Sequence, residues 1–104
     1  MGRYDVLVVG GGGREHAICK AISTSALLGS LHCAPGNAGT AKFGTNHDVG
    51  ASDIEGLVNL AVSLSCDLVI AGPEAPLCGG LADRLFASNI PCFGPVSGLS
   101  LIHI

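Results

Sequence analysis

The chain contains 104 residues, of which 12% are charged, and its formal net charge is −3. The charged fraction is about half of what soluble domains usually carry, and the acidic balance excludes a basic surface for a nucleic-acid backbone. No apolar run approaches the roughly 20 residues of a membrane span, and no secretory signal precedes the first predicted strand. The length supports one domain. We therefore expect one cytoplasmic domain without a nucleic-acid or membrane partner.

The first third of the chain predicts a strand, a helix and a second strand. Residues 4–9 form a β-branched run that ends at four glycines, which is typical of a parallel strand buried on both faces. A helix follows, and weak helix formers at residues 23–25 end it. Residues 26–34 predict the second strand, which stops at a Pro-Gly turn. The predicted buried stripe of the helix consists of Ala17, Ile18, Ala21 and Ile22.

The middle of the chain predicts a loop, a second helix and a third strand. The loop covers residues 35–40 and has the composition of a turn or a binding loop. Ser52, with Glu55 three residues later, predicts a capping box at the start of the helix. Residues 66–71 predict the next buried strand. The predicted buried stripe of this helix consists of Ile54, Leu57, Val58, Ala61, Val62 and Leu64.

A third helix and a fourth strand complete the pattern. The helix consists of Leu77 and residues 81–86, with Asp83 and Arg84 on its polar side, and Asn89 closes it. The strand covers residues 90–93. Because helices separate the strands, the connections are crossovers and the sheet is parallel. We predict an α/β fold, a Rossmann-like open parallel sheet with helices on both faces, in three layers.

Right-handed crossovers place the carboxyl ends of all four predicted strands at one edge of the sheet. The loops at residues 10–13, 35–39, 72–74 and 94–95 therefore meet at this edge. Open α/β sheets bind their ligands there. The sequence thus predicts the position of a binding site before its ligand is known.

The glycine loop predicts a phosphate site. Gly10, Gly11, Gly12 and Gly13 lead from a strand directly into a helix, so backbone N–H groups and the positive end of the helix meet at one place. A tight turn alone needs fewer glycines. Arg14 either adds a bidentate phosphate contact or is a solvated residue of the first helical turn.

The same loop disfavours a dinucleotide. Glu15 occupies the third glycine position of G-x-G-x-x-G, and the second predicted strand ends without the Asp or Glu that would bind a ribose hydroxyl. The sequence also lacks the G-x-x-x-x-G-K-[ST] pattern of a phosphate-binding P-loop. The fold is therefore expected to be Rossmann-like without binding NAD.

Four polar residues near these loops each have two interpretations. We expect one of Glu15 and His16 to face the binding edge and the other to face away, because successive helix side chains diverge. His16 is either a structural hydrogen-bonding residue or a ligand contact. Asn37 either adopts left-handed backbone geometry or presents its amide to a ligand. Glu74 either binds sugar hydroxyls or an amine, or stabilises the next helix through its dipole.

The five cysteines and four histidines predict neither a metal site nor a redox motif. The sequence contains no C-x-x-C pair, and the histidines are widely spaced. A free cysteine in apolar surroundings behaves as a small buried hydrophobic residue. We therefore expect free, buried thiols.

Four loop motifs in this order resemble the N-terminal domain of the phosphoribosylamine–glycine ligase family. They are Val-Val-Gly-Gly-Gly-Gly-Arg-Glu-His from residue 8, Ala-Pro-Gly-Asn-Ala-Gly-Thr from residue 34, Ile-Ala-Gly-Pro-Glu-Ala-Pro-Leu from residue 70 and Ile-Pro-Cys-Phe-Gly-Pro from residue 90. The resemblance implies a domain that binds the phosphoribosyl substrate. The substrate-binding residues that it implies are Gly10, Gly11, Gly12, Gly13, Arg14, Glu15, His16, Asn37, Gly39, Pro73 and Glu74.

For the whole family the resemblance implies an ATP-dependent ligase of purine biosynthesis. The enzyme joins glycine to 5-phosphoribosylamine and uses Mg or Mn. ATP, the metal and the catalytic residues belong to a following ATP-grasp domain, which is expected to pack on this one. We divide the chain into a substrate-binding domain, residues 1–95, and a divergent tail, residues 96–104, that arises from truncation or foreign sequence. The chain alone is expected to be inactive.

Three alternatives to this interpretation stay open. The first is the N-terminal domain of another ATP-grasp ligase, against which the Gly-Arg-Glu-His and Pro-Gly-Asn-Ala-Gly strings argue. The second is a stand-alone nucleotide-binding Rossmann-like module. The third is an oxidoreductase. Binding of a phosphosugar or of NAD distinguishes them.

Overall fold

The computed structural model describes residues 4–26, 28–50, 52–71 and 80–93, with only the backbone of Arg14, Ala82 and Phe93. The predicted turn at 72–74 and the segment 94–104 lie outside the described residues. In this part of the chain, no helix is long and apolar enough to cross a membrane. The elements are β1 (Tyr4–Gly10), α1 (Gly13–Ser23), β2 (Leu28–Pro35), a 3-10 helix (Thr40–Lys42), β3 (Thr45–Asn46), α2 (Ile54–Ser63), β4 (Leu68–Ala71), α3 (Leu81–Ala87) and β5 (Cys92–Phe93).

The described strands form one five-stranded sheet in the order β3-β2-β1-β4-β5. All four pairings are parallel. β1 is central, and its apolar residues are buried on both faces of the sheet, as are all four residues of β4. The predicted α/β fold, with a Rossmann-like parallel sheet, is confirmed.

The two faces of the sheet bury separate clusters of side chains, because successive residues of a strand point to opposite faces. One face packs against α1 and the other against α2 and α3, which gives the three predicted layers. The α1 side contains Val6, Val8, Cys19, Ile22, Leu31, Cys33, Leu68 and Ile70. The α2–α3 side contains Leu7, Val9, Ala34, Leu57, Val58, Ala61, Cys66, Val69, Leu81, Leu85 and Ile90.

The buried stripe of α1 differs from the predicted one. Ala17 and Ala21 are exposed, whereas Glu15, Cys19 and Ile22 are buried. These three residues have the i, i+4, i+7 spacing of one helix face. A single alanine methyl contributes little apolar area, so the larger side chains decide which face of the helix meets the sheet.

The N-terminus of α2 also differs from its prediction. The capping residue is Asp53, whose Oδ1 accepts a hydrogen bond from the Gly56 N–H at 3.0 Å. The predicted box of Ser52 and Glu55 is therefore wrong by one residue. Glu55 is left outside the cap, and its carboxylate pairs with Arg84 of α3 at 2.7 Å. An Asp side chain caps a helix as well as Ser does, which is why the pattern was ambiguous.

Two large apolar residues of the helices lie at the surface. Val62 of α2 is 51% exposed and Phe86 of α3 is 73% exposed. Val62 was predicted in the buried stripe, but that face is already filled by Leu57, Val58 and Ala61. Periodicity alone cannot position the edge of a stripe, because residues at its margin turn toward solvent when the packed face is narrow.

The structure contains two short elements that the sequence pattern did not predict. They are the 3-10 helix at Thr40–Lys42 and the edge strand β3 at Thr45–Asn46. Both residues of β3 are exposed, so no apolar alternation marks it. β3 forms because β2 offers a free edge, and the contact continues where the His47 N–H donates to the Cys33 carbonyl at 2.8 Å.

Candidate functional site

The loops after β1 and β2 lie side by side at the carboxyl edge of the sheet. The last residue pair of these strands is Gly10 with Pro35, and the Gly36 N–H donates to the Gly10 carbonyl at 3.1 Å. Ala71, the last residue of β4, pairs with Val9, so β4 ends at the same edge. We name residues 10–13 and 35–46 the rim. The predicted meeting of the first two loops is confirmed.

Two glycines allow the loops of the rim to approach each other. A Cβ atom on Gly11 would lie 2.9 Å from the Gly36 carbonyl oxygen. Gly36 has a φ of +73°, and a Cβ there would overlap the side chain of Asn46 and lie 2.8 Å from Thr40 Oγ1. Any larger residue would separate the loops or strain the backbone. These glycines therefore serve the contact between loops.

A side chain in the first turn of α1, that of Glu15, accepts a hydrogen bond from the backbone just before the helix. Gly12 precedes the helix, and its N–H donates to Glu15 Oε1 at 2.7 Å. Glu15 is 1% exposed, so its carboxylate is held against the start of the helix. A carboxylate at this position complements the positive end of the helix dipole. The Gly12 N–H is consequently occupied within the protein.

Gly13 is the open position of the glycine loop. It is exposed, and outside its own helix no described residue lies within 4 Å of a Cβ built on it. Gly13 and Arg14 are the first two residues of α1, and the first N–H groups of an α-helix have no acceptor within the helix. Space, donors and the positive helix end coincide here. This arrangement can bind an anion.

Asn37 connects the two loops through its side chain. Its Nδ2 donates to the Gly11 carbonyl at 2.7 Å and to the Gly12 carbonyl at 3.2 Å, while its Oδ1 accepts from the Thr40 N–H at 2.9 Å. Within the described chain, the non-glycine residues with positive φ are Ser65 and Asn89. Asn37 therefore does not adopt the left-handed geometry. Its amide is turned toward the two loops and not outward.

Thr40 and Asn46 form hydrogen bonds that hold Asn37 in place. Thr40 is fully buried, and its hydroxyl accepts from the Asn37 N–H at 2.7 Å and donates to Asn46 Oδ1 at 2.8 Å. Asn46 Nδ2 donates to the Asn37 carbonyl at 2.8 Å. Neither residue was predicted from the sequence, because Asn46 acquires its role only when β3 joins β2. The only indication of this arrangement in the sequence was Thr40, the last residue of the motif that begins at residue 34.

His16 contacts the second loop. Its ring lies 5.7 Å from the ring of Phe43, tilted by 30°, and a Cβ on Gly39 would come within 3.0 Å of it. The expectation that Glu15 and His16 face opposite ways is wrong, because both contact the rim. Glu15 contacts the first loop of the rim at Gly12, and His16 contacts the second loop at Gly39 and Phe43.

A second cluster of polar side chains connects β1, β2 and the residue that follows β3. The Ser30 hydroxyl donates to Asp5 Oδ1 at 2.7 Å and lies 3.2 Å from His32 Nε2, and His32 Nδ1 lies 3.0 Å from His47 Nε2. Burial lowers the pKa of His32, and the nearby charge of His47 lowers it further. These histidines are widely spaced in the sequence, but β2 and β3 bring them together.

The described residues contain no group of three or more His, Cys, Asp or Glu side chains that could hold a metal ion. The four described cysteines are free, and three are buried. Burial raises the pKa values of the Cys66 and Cys92 thiols to about 11, so both are protonated at neutral pH. A protonated thiol is a poor metal ligand.

Several predicted site residues lie outside this geometry. Pro73 and Glu74 are outside the described residues, and the side chain of Arg14 is as well. The structure brings together the other predicted residues in or beside the rim. They are Gly10, Gly11, Gly12, Gly13, Glu15, His16, Asn37 and Gly39.

Comparison with known proteins identifies what the chain resembles. Residues 4–102 match the family described as phosphoribosylglycinamide synthetase, N domain. The match includes most of the segment 96–104, for which a divergent tail was predicted. A phosphoribosylamine–glycine ligase of Streptomyces coelicolor is 50% identical over 90 residues, which cover 86% of this chain and 22% of that protein.

Two further relatives have similar values. The phosphoribosylamine–glycine ligase of Phenylobacterium zucineum is 48% identical, and that of Caulobacter vibrioides is 49% identical. Each alignment covers 94 residues, 90% of this chain and 22% of the relative. The chain thus spans 22% of the length of these curated relatives.

Proposed function

The chain belongs to the phosphoribosylglycinamide synthetase N-domain family, and we propose on this premise that its rim binds the phosphoribosyl part of 5-phosphoribosylamine. The phosphate binds at the start of α1. The sugar and its amine extend along the carboxyl edge of the sheet, toward the loop after β4.

The observation that carries the proposal is the open space at Gly13. The N-terminus of an 11-residue helix lies there, and apart from the helix itself no described residue comes within 4 Å of the Cβ position. A phosphate accepts several hydrogen bonds at once and carries charge that a helix N-terminus favours. The ligand contacts we assign are the backbone N–H groups of Gly13 and Arg14, with the Arg14 guanidinium as a further donor.

The remaining rim residues act by positioning these donors. Asn37 binds the carbonyls of Gly11 and Gly12, which fixes the peptide planes just before Gly13. Glu15 accepts the hydrogen bond of the Gly12 N–H. The phosphate therefore binds the next N–H groups along the helix, those of Gly13 and Arg14. His16 and Gly39 hold the second loop against α1. Pro73 and Glu74 are assigned to the sugar and the amine by the family motif.

The whole reaction requires more than this chain. We propose that it functions within a longer ligase that joins glycine to 5-phosphoribosylamine with ATP and Mg or Mn, and that an ATP-grasp domain packs on the substrate-binding domain, residues 1–95. The described residues do not fit a metal site, since no three ligating side chains meet. We therefore expect the 104-residue chain alone to show no ATP-, glycine- and phosphoribosylamine-dependent release of phosphate.

A ligand titration followed by backbone amide resonances tests the site. Ribose 5-phosphate is a stable probe for the phosphosugar, and ribose without phosphate is its control. We expect ribose 5-phosphate to shift the amide resonances of Gly13 and Arg14 most strongly, while ribose leaves them unchanged. Shifts with NAD at these residues and none with ribose 5-phosphate would support a nucleotide-binding module or an oxidoreductase and overturn the proposal.

Two matched variants locate the phosphate. Gly13→Asp places a carboxylate in the open space, and Gly50→Asp adds the same charge at another exposed glycine with no neighbour within 4 Å. An Asp in the first turn is compatible with the helix dipole, so both variants are expected to fold. We expect Gly13→Asp to abolish ribose 5-phosphate binding by repulsion and Gly50→Asp to retain it. Equal affinity of the two variants contradicts the assignment.

A further inference from the structure

Two buried thiols lie in contact beneath the rim. Cys19 of α1 and Cys33 of β2 are both 0% exposed, and their Sγ atoms are 3.3 Å apart. Both belong to the side-chain cluster on the α1 side of the sheet. From the sequence, each cysteine was predicted to be a separate small hydrophobic residue. Their contact is a product of the packing of α1 on β2.

The two sulfur atoms have different chemical environments. The hydrogen bond between the two thiols lowers the pKa of Cys33. The same hydrogen bond, followed by burial, raises the pKa of Cys19. Cys33 is therefore the more nucleophilic partner, since the thiolate is the reactive form. Cys19 is positioned as the second thiol.

We propose that Cys19 and Cys33 form a redox-active pair, which hydrogen peroxide converts to an intramolecular disulfide linking α1 to β2. The separation of the sulfur atoms carries the proposal, because a disulfide requires a further approach of about 1.2 Å to reach a bond of about 2.05 Å. This inference is independent of the ligand assigned to the rim.

The reaction is balanced with peroxide as the oxidant. The Cys33 sulfur attacks one peroxide oxygen, so an S–O bond forms, the O–O bond breaks and hydroxide leaves, taking up the proton of the thiol as water. The Cys19 sulfur then attacks the sulfenic sulfur of Cys33. The S–S bond forms, the S–O bond breaks, and a second water leaves with the proton of Cys19. Two thiols are oxidised and one peroxide is reduced to two waters.

The bond would connect the two elements that carry the rim. α1 begins at Gly13, and β2 ends at Pro35, two residues after Cys33. Because both thiols are fully buried, the reaction requires a local opening of α1 that admits peroxide. We expect the oxidised chain to have a higher Tm, because the closed loop restricts the unfolded state.

Trypsin separates the two cysteines and makes the bond directly observable. Cleavage after Arg14, Lys20 and Lys42 places Cys19 in peptide 15–20 and Cys33 in peptide 21–42, while the other three cysteines fall in peptides 43–84 and 85–104. The reduced folded chain is treated with peroxide, blocked with a thiol alkylator and digested. We expect one linked species, 15–20 with 21–42, and an intact mass lower by two hydrogens.

Variants and a denatured sample complete the test. Cys66→Ser is expected to retain the linked species, whereas Cys19→Ser and Cys19→Ala lose it and accumulate Cys33 sulfenic acid that dimedone traps. Circular dichroism verifies that each variant is folded. In guanidinium the specific pairing is expected to give way to mixed pairs. Absence of the 15–20 and 21–42 link in the oxidised folded wild type, or equal yields of links to peptides 43–84 or 85–104, overturns the proposal.

Discussion

The rim and the α2–α3 side of the sheet are built from different interactions. At the rim, polar side chains and glycines hold two loops together through hydrogen bonds such as those of Asn37 and Thr40. On the α2–α3 side, aliphatic side chains fill volume, and Leu57 and Leu85 are buried almost completely. The α2–α3 side therefore supplies burial energy, while the rim supplies geometry.

The difference separates the source of stability in this domain from the source of its loop geometry. Hydrogen bonds contribute little net stability but strongly restrict geometry, whereas buried apolar area contributes most of the folding energy without directional preference. A substitution on the α2–α3 side is expected to change stability first. A substitution at the rim is expected to change ligand binding first. Four measurements test this division, from the largest expected effect to the smallest.

Leu57→Ala is expected to have the largest effect on stability. It removes a fully buried side chain from the α2–α3 side and leaves a cavity, so the free energy of unfolding should fall by about 2–5 kcal/mol. Val62→Ala, on the exposed side of the same helix, should change it by less than about 0.5 kcal/mol. Urea denaturation measures both. Similar losses for the two variants would contradict the packing described for α2.

Gly36→Ala tests whether the rim also contributes to stability. The positive φ of Gly36 and the overlap of a Cβ with Asn46 should lower the free energy of unfolding by about 2 kcal/mol. Gly50→Ala is the control, because its Cβ position is open and no positive φ applies. Urea denaturation and ribose 5-phosphate titration should both show a loss for Gly36→Ala alone. If Gly36→Ala matches the control, the close approach of the loops is refuted.

Asn37→Asp tests whether the Asn37 amide matters more for ligand binding than for the stability of the domain. The substitution keeps the size of the side chain but removes the amide that donates to the carbonyls of Gly11 and Gly12. We expect a loss of about 1 kcal/mol in the free energy of unfolding and a proportionally larger loss of ribose 5-phosphate affinity. Asn59→Asp adds the same charge on the exposed surface of α2 and should leave the affinity unchanged. Unchanged affinity of Asn37→Asp would remove its positioning role.

The pH dependence of stability should show the smallest effect. Burial lowers the folded pKa of His32 below its usual value of 6.5, so the unfolded state binds more protons between the two pKa values. The stability contribution is present above about pH 6.5 and is lost as the pH falls through the folded pKa. Denaturation midpoints from pH 7.5 to 5 should decline, and less steeply in His32→Gln. An identical decline in both would exclude His32 as the group responsible.

His32 is an exception to the division between the polar rim and the apolar α2–α3 side. It lies two residues before Ala34 on β2, so it points to the α2–α3 side, yet its partners are Ser30 and His47. Because the Ser30 proton goes to Asp5, Ser30 accepts from His32 Nε2–H, and His32 Nδ1 then accepts from His47. Polar contacts thus extend along β2 away from the rim.

Residue patterns predicted the central part of the fold well. The apolar runs of β1 and β4 are buried on both faces, as such runs require, and the glycines that follow β1 begin the rim. Helix faces were predicted less well, as Ala17 and Val62 show, because apolar character does not measure how much area a residue buries. Short elements such as β3 were missed, since their residues carry no apolar period.

By itself, the sequence determined the α/β fold, the parallel order of strand and helix, and the edge of the sheet at which the loops after β1 and β2 meet. These features follow from local patterns and from the handedness of crossovers. The tertiary structure alone decided that Asn37 braces the loops with Thr40 and Asn46, and that Cys19 meets Cys33. Such contacts depend on side-chain directions between elements distant in sequence, and no local pattern encodes them.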